Sequence, residues 1–207
     1  MFDSRYSKIA SILKIKNQGL NIHNTVISEK VEEILKVAKD YGMFTIRTDR
    51  VTKWEKGWEG KSEFPFIVQD TPTNNYEQLE NKLNQLASEG FVFIISDGIK
   101  YDKIQDYNAV AILKVNGDFR VEASTEKVPL RYMYKRGNIF IAEGNITDKL
   151  RDIQFYGTVN FDKKAILQDI QYLYTKEIFN KWIEFTRYPI RVGINNEKFV
   201  FWQIRDK

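Results

Sequence analysis

Cysteine is absent from this 207-residue chain, and histidine occurs once, at His23. The first absence excludes disulfides, thiolate metal sites and a thiol nucleophile; the second excludes a multi-histidine zinc centre. Serine with His23 would still make a catalytic couple, but no GxSxG elbow is present to expose the serine. Four prolines and no Gly/Ser tract argue against a long flexible linker. Long apolar runs are missing too. None exceeds Phe91 to Ile95, far short of the roughly 20 residues that cross a bilayer. The opening MFDSRYSKIASILK has no apolar core of the kind that marks a secretion signal. The expectation is a soluble cytoplasmic chain with no membrane partner.

What is present is ample material for a core, since 43 % of residues are hydrophobic and 14 % aromatic. The length suits one domain or two small lobes. The formal charge of +4 arises from 32 basic against 28 acidic residues, interspersed along the chain. Such mixing reads as a solvated surface and argues against a dedicated nucleic-acid partner, while leaving room for a small anionic ligand.

Periodicity divides the chain into alternating elements. Ile9, Ile12, Leu13 and Ile15 predict a helix over Ser4 to Lys16, with Gly19 as its stop. A short strand at Thr25 to Ile27 leads to Ser28, the expected N-cap of a helix carrying Val31, Ile34, Leu35 and Ala38 and ended by Gly42. Met43 to Thr48 reads as a strand and residues 49–62 as a loop. A strand over Phe64 to Val68, a helix over Tyr76 to Ser88 and a buried strand over Phe91 to Ser96 follow. Asn116-Gly117 between Asn108 to Val115 and Asp118 to Ser124 is the strongest hairpin signal. Strands at Leu130 to Tyr134 and Ile139 to Ala142, a helix over Lys163 to Phe179, and strands at Trp182 to Tyr188 and Lys198 to Arg205 complete the pattern. The fold class expected is α+β: an N-terminal α/β lobe over 1–90 and a C-terminal lobe over 91–207 on a mainly antiparallel sheet, with a cleft between them.

Three stretches carry candidate chemistry: Lys8 with GLNIH from Gly19, TIRTD over Thr45 to Asp49, and the pair WIEFT (Trp182 to Thr186) and FWQIR (Phe201 to Arg205). Alternate residues of a strand share a face, so pairing the last two strands would gather Glu184, Gln203 and Arg205. Glu184 and Gln203 supply hard oxygens for Mg2+, and Arg205 neutralises phosphate. Lys8 and Arg47 would add cations. Read singly, each has a plain structural role: Lys8 on a solvated helix face, Arg47 in a surface ion pair, Glu184 and Gln203 as polar alternates of half-exposed strands, His23 at a turn or in the core.

Taken together these stretches resemble the ATP-grasp nucleotide-binding domain of phosphoenolpyruvate synthase and pyruvate phosphate dikinase, shortened and divergent. That domain opens on a Lys-Gly-x-x-Leu helix followed by Gly-Leu-Pro-Val-Pro; here Lys8 stands at the matching offset from Gly19. TIRTD is similar to the Val-Arg-Ser-Ser strand, and WIEFT with FWQIR to the closing Asp-x-Glu and Leu-Gln-x-Arg strands. The resemblance implies an Mg-ATP-binding protein, a phosphotransferase or a ligase acting on an unidentified acceptor. It implies phosphate contacts from Lys8 and Arg47, adenine contacts from Ile94, Ile95 and Ser96, a central acidic residue at Glu122, metal ligation by Glu184 and Gln203, and γ-phosphate neutralisation by Arg205.

The sequence departs from that pattern at Asn21 and His23, where the family has prolines, at Asp49, where it has serine, and at Trp182, where it has an acidic residue. Trp182 favours a second reading, a binding or regulatory protein that keeps the fold without turnover, with a protein partner left open. The basic-aromatic run LRYMYKRGN (Leu130 to Asn138) offers a third, a nucleic-acid-associated accessory protein. The loop holding Trp54, Gly57, Trp58 and Gly60 reads either as a phosphate lid or as an aromatic-anchored connection.

Overall fold

The computed structural model describes residues 7–50, 65–125 and 139–206. The chain divides into two compact units, one comprising Met1–Leu13 and His23–Lys103, the other Lys14–Ile22 and Ile104–Lys207. Helix α1 (Ser7–Asn17) begins in the first and ends in the second.

The first unit is built on β1 (Thr25–Ser28), α2 (Val31–Tyr41), β2 (Phe44–Asp49), β3 (Phe66–Gln69), α3 (Glu77–Ser88) and β4 (Val92–Ser96). Its sheet has the order β1-β4-β2-β3, with every neighbouring pair antiparallel. Ile34, Leu35 and Ala38 of α2 and Leu83 and Leu86 of α3 form one core with Phe44, Ile46, Phe93 and Ile95 of the sheet. Helix α2 forms where expected: Glu32 and Glu33 favour its N-terminal dipole, and Gly42, at φ +67°, donates its N–H to Ala38 O and stops it. Lys30, not Ser28, holds the N-cap position. Ser28 acts two residues earlier, its Oγ accepting from Lys30 N at 3.0 Å and donating to Glu33 Oε2 at 2.6 Å. Strand β4 lies between β1 and β2, so a division at residue 90 would cut the first sheet; the observed units divide after Lys103 instead.

The second unit carries β5 (Tyr107–Leu113), β6 (Asp118–Ser124), β7 (Ile139–Asn145), β8 (Gln154–Gly157), α4 (Lys163–Tyr174), β9 (Lys181–Val192) and β10 (Glu197–Asp206). They form a six-stranded sheet in the order β10-β9-β5-β6-β7-β8, again antiparallel throughout. The fold is therefore α+β, on two antiparallel sheets. The Asn116-Gly117 hairpin forms between β5 and β6, with Gly117 at φ +94°. Asp162 Oδ1 caps α4 by accepting from Lys164 N. That helix ends at Tyr174, short of Phe179, because Glu177 and Asn180 adopt positive φ and Asn180 N turns to Leu113 O. Strand β9 runs through Pro189 to Val192; the ladder to β10 shifts register between Glu197 and Phe199, where a missing amide proton is tolerated. Strand β8 was not anticipated. The expected strand over Leu130 to Tyr134, and the loop around Trp54, Gly57, Trp58 and Gly60, lie outside the described residues. Among the described residues no helix is long and apolar enough to cross a membrane.

A strap of residues 19–22 fastens the β9–β10 hairpin. Asn21 is fully buried, and its Nδ2 donates to Val192 O at 2.8 Å and Phe199 O at 2.7 Å. Its Oδ1 accepts from Asn195 N at 2.8 Å, and its backbone O accepts from Phe201 N at 2.9 Å. Ile22 O accepts from Ile194 N and Gly19 O from Asn195 Nδ2. The strap thus covers the outer edge of the terminal strand β10. The fit leaves no space for a side chain at Gly193, where a Cβ would lie 2.5 Å from Asn21 Oδ1. Asn21→Ala strands buried backbone groups on both strands and should cost about 3 kcal/mol or more. Thermal unfolding should show a melting temperature lowered by roughly 6–12 °C; a loss under about 1 kcal/mol would remove this role for the amide.

Candidate functional site

The candidate residues of the first unit collect around β2 and β4. In register, Arg47 lies beside Ile94 on one side and Phe66 on the other, and Thr45 lies beside Ser96. Arg47, Ile94 and Ser96 therefore share the sheet face opposite α2 and α3, whereas Ile95 points into the core beneath those helices. Ladders on both flanks of β4 engage the backbone of Ile94 to Ser96 within the sheet, so on this face Ile94 and Ser96 present side chains. Lys8 arrives from the first turn of α1. Its Nζ donates to Thr48 O at 2.8 Å, one residue beyond Arg47.

What holds Lys8 there is Asp49. This carboxylate is 1 % exposed, and its Oδ2 accepts from Lys8 N at 2.8 Å and Ile9 N at 3.0 Å. Helix α1 has no acidic residue in its own first turn; the strand end supplies the negative charge that its N-terminus favours. Sequence reasoning registered Asp49 only as a departure from a motif, because a cap contributed from 40 residues away has no local signature.

In the second unit, Glu122, Glu184, Gln203 and Arg205 come to one face of the six-stranded sheet. Gln203 is directly opposite Glu184, Glu184 opposite Val110, and Val110 opposite Glu122. The adjoining row runs Arg205, Trp182, Ile112, Arg120 and Glu143. Arg205 NH2 donates to Glu184 Oε1 at 2.9 Å and to Gln203 Oε1 at 2.6 Å. Arg120 forms a second cluster, its Nε 2.9 Å from Glu122 Oε1 and its NH1 2.6 Å from Glu143 Oε2 and 3.2 Å from Tyr156 OH. The bond to Glu122 is the main cause raising the Arg120 pKa above its usual value. The long strands explain how Glu184 and Gln203 meet despite wide sequence spacing: the hairpin turns at 193–196, and the ladder carries the pair back to its middle. Arg120, Glu143 and Tyr156 were not foreseen. The signal available was strand alternation in DFRVEAS, which puts Arg120 and Glu122 on one face.

The chemistry this face can support is bounded by its donors. Among the described residues no group of three or more His, Asp or Glu is arranged to hold a metal ion. Glu184 with Gln203 is a two-oxygen set, of the kind that suits a magnesium ion retaining water and phosphate oxygens.

No family model matches the chain, and no curated protein matches it. Solved structures do. The chain is similar to D-alanyl-alanine synthetase A from Vibrio cholerae O1 biovar eltor str. N16961, at 8 % identity over 98 % of this chain and 55 % of that one, with a TM-score of 0.50. It is similar to N5-carboxyaminoimidazole synthetase from Staphylococcus aureus, at 10 % identity over 98 % of this chain and 44 % of that one, also at 0.50. The fold is ATP-grasp-like. A RiPP-associated ATP-grasp ligase from Chryseobacterium gregarium, solved with ADP and a leader and core peptide, gives 13 % identity over 99 % and 54 % of the two chains at a TM-score of 0.46. This chain spans about half the length of the solved structures it matches.

Within this ATP-grasp-like chain, His23 belongs to the first unit. It is fully buried and stacked on Tyr101, with ring centroids 5.2 Å apart and planes 9° from parallel. Burial, helped by the charge of Lys100 and opposed by that of Asp97, lowers its pKa to about 4. It is neutral at pH 7 and packs as an aromatic ring. The basic-aromatic run over 130–138 lies outside the described residues.

Two expectations follow. Asp49→Ala should destabilise the protein by about 1–2 kcal/mol through loss of the α1 cap, with Asp49→Asn closer to wild type; equal effects of the two in urea melts would contradict capping. For His23 the unfolded state binds more protons than the folded one between pH 6.5 and about 4, so stability rises with pH across that window and is lost on acidification. Between pH 7 and 4.5, wild type should lose about 2–3 kcal/mol more than His23→Gln does. Parallel losses would show that the imidazole is not a source of acid sensitivity.

Proposed function

We propose that this chain binds Mg-ATP and uses it in phosphoryl transfer or in ligation through an acyl phosphate. The observation that carries the proposal is the meeting of Glu184, Gln203 and Arg205 on one sheet face. Phosphoryl chemistry asks a protein mainly for positioning and charge neutralisation, and this set offers both. Glu184 and Gln203 are the proposed metal ligands, Arg205 the γ-phosphate contact and Glu122 the accompanying acid. Lys8 and Arg47 are proposed as further phosphate contacts, and the strand segment Ile94, Ile95 and Ser96 as the adenine side. The fold likeness to two synthetases supports a ligase over a pure binding module. The narrower resemblance to the phosphoenolpyruvate synthase type rests on the sequence motifs alone.

Trp182 supports a second reading. It occupies the row of Arg205, half-exposed, where a second acidic ligand is expected. Binding without turnover would follow if one carboxylate is too few.

Thermal melting with Mg-ATP, Mg-GTP and Mg2+ alone tests the proposal. At 100-fold excess over the wild-type Kd, Mg-ATP should add about 2.7 kcal/mol, a rise of roughly 5–10 °C, and Arg205→Ala, binding about tenfold more weakly, should cut that rise to about half. No shift at millimolar Mg-ATP would overturn the nucleotide site. A shift without ADP release over hours would favour the non-catalytic reading.

A further inference from the structure

Both proposed metal ligands on the six-stranded face are already in contact with a guanidinium through one side-chain oxygen each. Arg205 NH2 lies 2.9 Å from Glu184 Oε1 and 2.6 Å from Gln203 Oε1. Arg120 does the same for Glu122, in the row of Glu184, and for Glu143, in its own row. A magnesium ion bound about 2.1 Å from the Glu184 and Gln203 oxygens would sit against the Arg205 guanidinium, and the like charges would oppose its entry. An anionic ligand changes that balance. Guanidinium groups bind phosphate oxygens with the same fork geometry they use for carboxylates, so each arginine can exchange partners without losing charge-assisted hydrogen bonds. Both arginines can move, since their side chains are 57 % and 42 % exposed. Arg120 and Arg205 stand three strands apart, with Ile112 and Trp182 on the two strands between them. That is roughly 15 Å of sheet at the usual strand spacing, a span that long arginine side chains shorten from both ends.

We propose that Arg120 and Arg205 are internal counter-ions that keep free divalent cations off this face, and that a metal enters only with a polyphosphate, which draws the two guanidinium groups from carboxylate to phosphate. The inference rests on the nucleotide reading above and adds Arg120 to the ligand-binding residues. It separates two properties that a preformed metal site would join. Removing an arginine frees carboxylate oxygens for a bare cation and removes a partner from the phosphates, so the two affinities move in opposite directions.

Titration of the full chain with Mn2+ alone and with Mn2+ plus ATP, following free Mn2+ by electron paramagnetic resonance, reads both quantities. Wild type should show no saturable Mn2+ binding below millimolar concentration without nucleotide and submillimolar binding with it. Arg205→Gln and Arg120→Gln should each bind free Mn2+ at least about tenfold more tightly and Mn-ATP about tenfold more weakly. Arg205→Lys should stay near wild type toward free Mn2+. All three substitutions fall on exposed side chains, and circular dichroism checks that the variants are folded. Wild type binding free Mn2+ as tightly as Mn-ATP, or both affinities moving together in the variants, would overturn the proposal. If ATP binds in no form while the variants still gain Mn2+, the counter-ion role stands and the nucleotide reading falls.

Discussion

The buried amide of Asn21 is the contact on which the candidate face depends most. It holds the strap to the two carbonyls of Val192 and Phe199 and to the amide of Asn195, fixing the β9–β10 hairpin at its turn. Register along that hairpin decides which side chains face which way, and a slip by one residue would carry Gln203 and Arg205 to the opposite side of the sheet. The ladder already contains one such shift, between Phe201 and Gln203, and the pairing of Gln203 with Glu184 exists because of it. A buried polar side chain far from any charged ligand group therefore sets the geometry of the group.

Much of the architecture was legible in the sequence, and the parts that were not share a cause. Helix α2, the Asn116-Gly117 hairpin and β4 followed from periodicity and turn chemistry, which are local. The end of α4 depended on positive φ at Glu177 and Asn180, and the reach of β9 past Pro189 on a register irregularity; neither writes itself into a composition pattern. Strand β8 is four residues at a sheet edge, with too little alternation to read. Strand β4 follows α3 in sequence yet inserts between β1 and β2, a placement that sequence order alone does not show.

The candidate site was legible in its second half and partly in its first. Alternation in WIEFT and FWQIR placed Glu184, Gln203 and Arg205 together, as the ladder does. Ile95 faces the core beneath α2 and α3, whereas Ile94 and Ser96 lie on the other face of the same strand. The departures from the resembled motif turned out to be informative in themselves. Asn21, His23 and Asp49 are all buried, and each has taken up structural work: a strap, a stacked ring, a helix cap. At each of these positions the side chain makes contacts across long sequence distances or packs in the core.

Trp202 is the bulged residue between Phe201 and Gln203, and its indole Nε1 donates to Thr186 Oγ1, whose hydroxyl in turn meets Asn108. Trp182 lies two residues from Glu184 on the same side of the sheet, in the row of Arg205. Two of the four tryptophans in the chain thus border the polar face, one tied to a hydroxyl and one open to solvent. Indole emission responds to nearby charge and to water, so the protein carries its own optical gauge of the face: rearrangement of Arg205 alters the surroundings of Trp182 directly, and the emission spectrum of the unlabelled chain records it.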